Sequence, residues 1–300
     1  MGSPLLELPS PDSSAVKTLV RQYLFEVKGP SLFSVELLAD IANAAQVEHI
    51  KEFPSTEQAV DYFERLVTWR PNKDNSDILG FSQNLEQQTA DMVGKVLARS
   101  VVPTLPAEVF NKESFQKLLS FSTEVEVPEV LVAFSYFAAA NDDFIEPLEK
   151  MIRLALQSDE TKRSAYASYA LLTWRELKES PAIDRLIVRL VYQVGTNRMP
   201  ALAALIWTVN QMYCKKYLSE DNHQALIEAL PVIFDSMNYK NISPASREAV
   251  SASYVRAACV RLVRDIVNLE KNKNNELHRV LEEAKQDPLP EVRFALNTQD

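Results

Sequence analysis

The segment Leu148-Glu149-Lys150-Met151-Ile152-Arg153-Leu154-Ala155-Leu156 sets Leu148, Met151, Ile152, Ala155 and Leu156 at i, i+3, i+4, i+7 and i+8. That spacing is one apolar stripe of an α-helix. It returns at Ile183, Leu186, Ile187, Leu190 and Val191, with Val194 at i+11, and again at Leu226, Ala229, Leu230, Ile233, Phe234 and Met237. A shorter version runs through Leu277, Val280, Leu281 and Ala284. The starts lie 35, 43 and 51 residues apart, periods that belong to two-helix units stacked with loops of growing length. The expected fold is all-α, a right-handed α-solenoid or superhelix of helical hairpins.

Between the striped helices, longer and more apolar ones are expected near 160–178, 199–217 and 245–270. The last is apolar nearly all round, which predicts a helix sandwiched between neighbours. Ser180-Pro181 and Ser243-Pro244 each set a capping hydroxyl before a proline at the first helical position. Asp143 with Glu146, and Ser55 with Gln58, read as capping boxes. In the front half, helices are predicted near 13–27, 33–50, 56–69, 75–102, 112–121 and 129–140, with a blurred repeat. The organisation read from these signals is a flexible leader over 1–12, carrying Pro4, Pro9 and Pro11, an irregular helical N-terminal part of the solenoid over 13–140, and repeats over 141–300.

Composition narrows the function classes. Five glycines in 300 residues, against roughly 7% in average proteins, argue against folds built on tight hairpins or phosphate loops. Residues 1–150 carry 12 Lys and Arg against 23 Asp and Glu, whereas residues 151–300 carry 20 against 18. An acidic front half argues against a duplex-DNA binder, which needs clustered cations. Cys214 and Cys259, both within apolar helical patterns, predict plain core thiols rather than a disulfide or a metal cluster. No export signal and no run of 18 apolar residues is present, so a soluble cytoplasmic protein is expected.

Asp287-Pro288-Leu289-Pro290-Glu291-Val292-Arg293-Phe294-Ala295-Leu296 resembles a turn and second-helix start of the HEAT/armadillo-like repeat family. In that family an Asp in the turn and an Arg six positions on, preceded by Val, hold the hairpin in place; Asp287, Val292 and Arg293 match. Leu230-Pro231-Val232-Ile233 is similar to the family's proline-bent first helix. The pattern covers about residues 144–296, with one repeat matching in its motif, and Ala165 and Ala203 stand where further arginines would. The resemblance implies a binding scaffold. Because the match stops so near Asp300, a capping repeat beyond it is expected.

Signals of chemistry are sparse. His49, His223 and His278 lie far apart and without a metal-binding spacing, and phosphate-loop, dinucleotide and nucleophile-elbow motifs are missing from the sequence. No catalytic residue, metal ligand, cofactor or small-molecule substrate is therefore assigned. Glu124, Glu126 and Glu129 read as solvated loop charge, and Asp142-Asp143 as a helix start. Arg256, Arg261 and Arg264 share a sector of about 140° on one helix, with Arg247 elsewhere. Trp174 and Trp207 read as buried indoles, and Trp69 as more exposed.

The favoured reading is a non-catalytic scaffold or adaptor that binds a protein partner through a concave surface of second helices. Its candidate contacts are Arg198, Gln211, Lys215, Arg256 and Arg264. Alternatives are a sensing or autoinhibitory arm of a larger multidomain enzyme, and a HEAT-like nucleic-acid-binding protein or DNA glycosylase. A lipid-carrying helical domain would call for an export signal and more cysteine.

Overall fold

The computed structural model describes residues 56–70, 90–91, 93–196, 201–237, 247–270 and 274–297, and every regular element among them is helical. The expected leader, the helices at 13–27 and 33–50, Ser55 and the Ser243-Pro244 cap lie outside the described residues. The chain divides into two compact units, Met1–Ala140 and Asn141–Asp300.

The first unit contains α1 (Thr56–Thr68), α2 (Lys112–Val125) and α3 (Leu131–Ala140). A π-helical turn, Leu97–Val101, leads into a 3₁₀ turn, Val102–Thr104, and α1 and α3 pack against both. Asn111 caps α2 by accepting from Ser114 N at 3.0 Å. Glu126, left-handed at φ 56°, ends it. The helix thus runs past its predicted end near 121, so Glu124 sits on a helix rather than in a loop. Glu129, expected in solvent, is buried in a 3₁₀ turn. The core is a cluster of rings. Phe137 meets Phe110 edge-on at 5.1 Å, Phe115 at 5.8 Å and Phe63 at 6.4 Å between centroids. Gly94 permits close approach here, because a Cβ would overlap Val127 Cγ1 and stand 3.0 Å from Glu129 Cβ.

The second unit contains α4 (Ile145–Ala155), α5 (Thr161–Leu177), α6 (Pro181–Gly195), α7 (Leu202–Cys214), α8 (Glu220–Ser236), α9 (Arg247–Glu270), α10 (Asn275–Lys285) and α11 (Pro290–Phe294). The predicted stripes become buried faces: Leu148, Ile152, Ile183, Leu186, Leu190, Leu226, Leu230, Leu277 and Val280 are all in the core. Ser180 caps α6, its Oγ accepting from Ile183 N, and Ser219 caps α8 through Asn222 N. The cap ahead of α4 is Asn141, which accepts from Asp143 N at 3.0 Å and opens a 3₁₀ turn, instead of Asp143 itself.

Packing follows a fixed rule. Apart from first neighbours, α4 packs on α6, α5 on α7, α6 on α8, α7 on α9, α8 on α10 and α9 on α11. Helices α4, α6, α8 and α10 therefore make one layer, and α5, α7, α9 and α11 the other. Side-chain size helps to set the approach. Ser164, Ala165, Ala167, Ser168 and Ala170 are buried on α5, and small side chains at a contact bring helix axes closer. In the first layer, Arg185 of α6 donates to both oxygens of Glu149 on α4 at 2.9 and 2.6 Å. Arg279 of α10 likewise clasps Asp235 on α8 at 3.0 and 2.9 Å.

Candidate protein-binding face

Three polar ties set the register of the second-layer helices. Ser168 and Thr208 hydroxyls lie 2.8 Å apart in the interior between α5 and α7. Asn210 Nδ2 donates to Asp265 Oδ2 at 2.9 Å between α7 and α9, and Tyr213 Oη donates to Glu270 Oε1 at 2.9 Å. Burial first, then the Glu270 carboxylate, holds the Tyr213 phenol well above its ordinary range. One turn back from Asn210 and Asp265 stand Trp207 and Arg261. Tyr169 meets Trp207 edge-on at 5.5 Å, and Tyr166 meets Tyr169 at 5.6 Å. The register thus lines up Tyr169, Trp207 and Arg261 as a row crossing α5, α7 and α9.

This row lies on the positions that the helices do not bury. Trp207 is 41% exposed and Tyr254, two turns before Arg261, is 58% exposed. The expectation of two buried indoles therefore splits: Trp174 is fully buried and Trp207 is not. Periodicity explains the difference, since Leu205, Ile206, Val209 and Met212 already fill the inward positions of α7. Arg261 carries its Nε in the interior without a hydrogen-bond partner.

The five candidate contacts come out differently. Arg198 lies outside the described residues. Gln211 is half-buried on α7, one turn after Trp207, and Lys215 is exposed and pairs with Glu176 of α5. Arg256, expected on a binding surface, is instead only 8% exposed. Its Nε and Nη2 donate to Asp287 Oδ2 at 2.9 and 2.7 Å, its Nη1 donates to Phe234 O at 2.6 Å, and its guanidinium lies 3.6 Å from the Phe234 ring centroid. Arg264 is half-buried, donating to Asp265 Oδ1 at 2.9 Å and to Ala295 O at 3.0 Å. Both arginines face helix seams, because their positions on α9 fall towards α8 and α11 rather than outward.

Asp287 occupies a second polar centre. Beyond Arg256, its Oδ1 accepts from Leu289 N at 3.0 Å, and its main-chain oxygen accepts from Arg293 Nη1. The Asp and Arg read together in the sequence do meet, though through the Asp carbonyl; the carboxylate is taken by Arg256.

The end of α7 shapes the edge of the face. Lys216 N donates to Tyr213 O and Tyr217 N to Met212 O, both at 2.9 Å, with Lys216 left-handed at φ 60°. This is a Schellman closure with lysine where glycine is favoured. Arg175 stacks on the Tyr217 ring at 4.6 Å beside it. Cys214, expected in the core, is exposed here, whereas Cys259 is buried and burial pushes its thiol up to about 12.

In the first unit, a cleft of about 860 Å³ lies between α1 and α2, lined by Val67, Thr68, Arg70, Lys112, Gln116 and Lys117 among others. Two of its three cations are engaged. Arg70 donates to Glu124 at 2.5 Å, and Lys117 pairs with Glu113 at 2.8 Å and Glu64 at 2.9 Å. Hydrogen bonding to Glu113, then to Glu64, holds the Lys117 ammonium above its ordinary range. Among the described residues, no group of three His, Cys, Asp or Glu is placed to hold a metal, and no helix is long and apolar enough to cross a membrane. Comparison with protein-family models, curated proteins and solved structures returns no match. The chemistry of the face therefore rests on its own residues.

Proposed function

We propose that residues 141–300 are a right-handed α-solenoid of HEAT/armadillo-like hairpins, and that the protein is a non-catalytic scaffold or adaptor gripping a protein partner on its second-layer helices. The supporting observation is the row of Tyr169, Trp207 and Arg261, with Tyr254 nearby, on successive helices of one layer. Trp, Tyr and Arg are the residues that carry most binding energy at protein interfaces. Packing of each helix on its second neighbour is the connectivity a stack of hairpins requires. The test is affinity capture from the native cell with the whole chain, beside Trp207→Ala/Tyr254→Ala and, as a control on the other layer, Tyr192→Ala. A discrete partner retained by the native chain and by Tyr192→Ala but lost from the double variant is the expected result. Equal retention by all three would remove the reading.

A further inference from the structure

The aromatic row ends on a cation that has no partner among the described residues. Arg261 makes neither a hydrogen bond nor an ion pair among the described residues, and its Nε is fully shielded from solvent. Two cations close by are matched: Lys215 with Glu176, and Arg264, at the seam, with Asp265. A buried N–H of a guanidinium left unsatisfied is destabilising unless something supplies an acceptor. Because the neighbouring carboxylates are already taken, the face presents a net positive centre beside stacked rings. This contrasts with the chain as a whole, at −9.

We propose that this face binds an extended acidic peptide, one carboxylate meeting Arg261 and apolar or aromatic side chains lying on Trp207, Tyr169 and Tyr254. The inference rests on the docking-face reading above and adds the chemistry of the occupant. Geometry sets its length. Packed helices are 8–10 Å apart, so a row crossing three of them spans about 20 Å, which an extended chain rising ~3.3 Å per residue covers in about six residues. Charge selects its class. A nucleic-acid strand needs a track of cations along its phosphates, and among the described residues of this face one unmatched guanidinium accompanies several rings. A single carboxylate flanked by apolar groups is the better complement.

The probe is a random linear 12-residue peptide library panned on the whole chain, on Trp207→Ala and on Arg261→Gln, with helix content and thermal unfolding of each variant checked beforehand. Selected peptides are then synthesised and their affinities measured by fluorescence anisotropy at low and high salt. Expected is a pool rich in Asp and Glu together with aromatic or apolar residues. Its affinity should fall about tenfold in Arg261→Gln, fall further in Trp207→Ala, and weaken with salt, since the pairing is electrostatic. Arg261→Lys, which keeps the charge, should retain most of the binding. A pool of neutral or basic peptides that still depends on Trp207 overturns the acidic occupant while leaving the docking face standing. A pool indifferent to both substitutions, or no enrichment at all, overturns the two together. Displacement of the selected peptides by a 12-nucleotide oligothymidine at low salt would assign the face to nucleic acid and overturn the peptide proposal.

Discussion

The two units hold themselves together differently. In the first, the interior is a cluster of phenylalanines around Phe137, and the ion pairs of Arg70 and Lys117 stay at the rim. In the second, a mainly aliphatic core is crossed by polar ties between helices: Ser168 to Thr208, Asn210 to Asp265, and Arg256 to Asp287. Apolar burial is non-directional and so specifies register weakly, while a buried hydrogen bond is lost if neighbouring helices shift by a turn. A stack of similar hairpins has many near-equivalent registers. Polar ties are what select one.

The contrast can be broken at its strongest points. Phe137→Ala should destabilise the first unit by about 3–5 kcal/mol, through lost burial and a cavity among three rings, seen as a lower urea midpoint. Asp287→Ala should destabilise the second unit by a similar ~3–5 kcal/mol, because it strands a buried guanidinium. The two then part. Adding Arg256→Met to Asp287→Ala should restore most of the loss, since replacing both partners removes the stranded charge; no second substitution of comparable kind would refill the Phe137 cavity. Failure of that rescue would show that the pair is not what holds α9 to the α10–α11 turn.

Glycine offers a smaller test. Gly94→Ala should cost about 1–3 kcal/mol, because its methyl meets Val127. Gly195→Ala, where a Cβ meets nothing within 4 Å, should instead stabilise by about 0.5 kcal/mol by restricting the unfolded chain. At the edge of the candidate face, Lys216→Gly should stabilise by about 1 kcal/mol, relieving a left-handed residue. The thiols provide the subtlest readout. At pH 8 an alkylating reagent should modify Cys214 and spare Cys259 until the chain unfolds. The folded chain holds the Cys259 proton up to about 12, above its ordinary 9.0. Stability should therefore be lost as pH rises through that window, where the unfolded chain binds fewer protons. Cys259→Ala should remove that part of the pH dependence.

Much of the second unit was legible. The i, i+3, i+4 stripes marked α4, α6, α8 and α10, and Ser180-Pro181 marked a helix start, because periodicity and capping are local. The candidate site was legible only in part. Gln211 and Lys215 lie half-buried and exposed, respectively, near Trp207 on and after α7, while Arg256 and Arg264 are committed to seams. A signal for the missed residues did exist: Tyr166 and Tyr169 on α5 occupy the positions left over once the buried ones are assigned. Trp207 and Cys214 on α7 depart from the burial their sequence pattern predicts for a related reason. That helix is apolar on most sides, so composition alone did not distinguish its outward edge.

The sequence alone determined that the described elements are helical and which edge of each amphipathic helix turns inward, since both follow from interactions within about one turn. Tertiary structure decided which arginine is buried and paired and which has no partner among the described residues. Arg256 and Arg261 lie five residues apart on one helix, and their fates differ because Asp287 and the Phe234 carbonyl, distant in the chain, arrive beside the first, and among the described residues nothing of that kind arrives beside the second. The price of burying a charge is set by such arrivals, and they belong to packing rather than to local sequence.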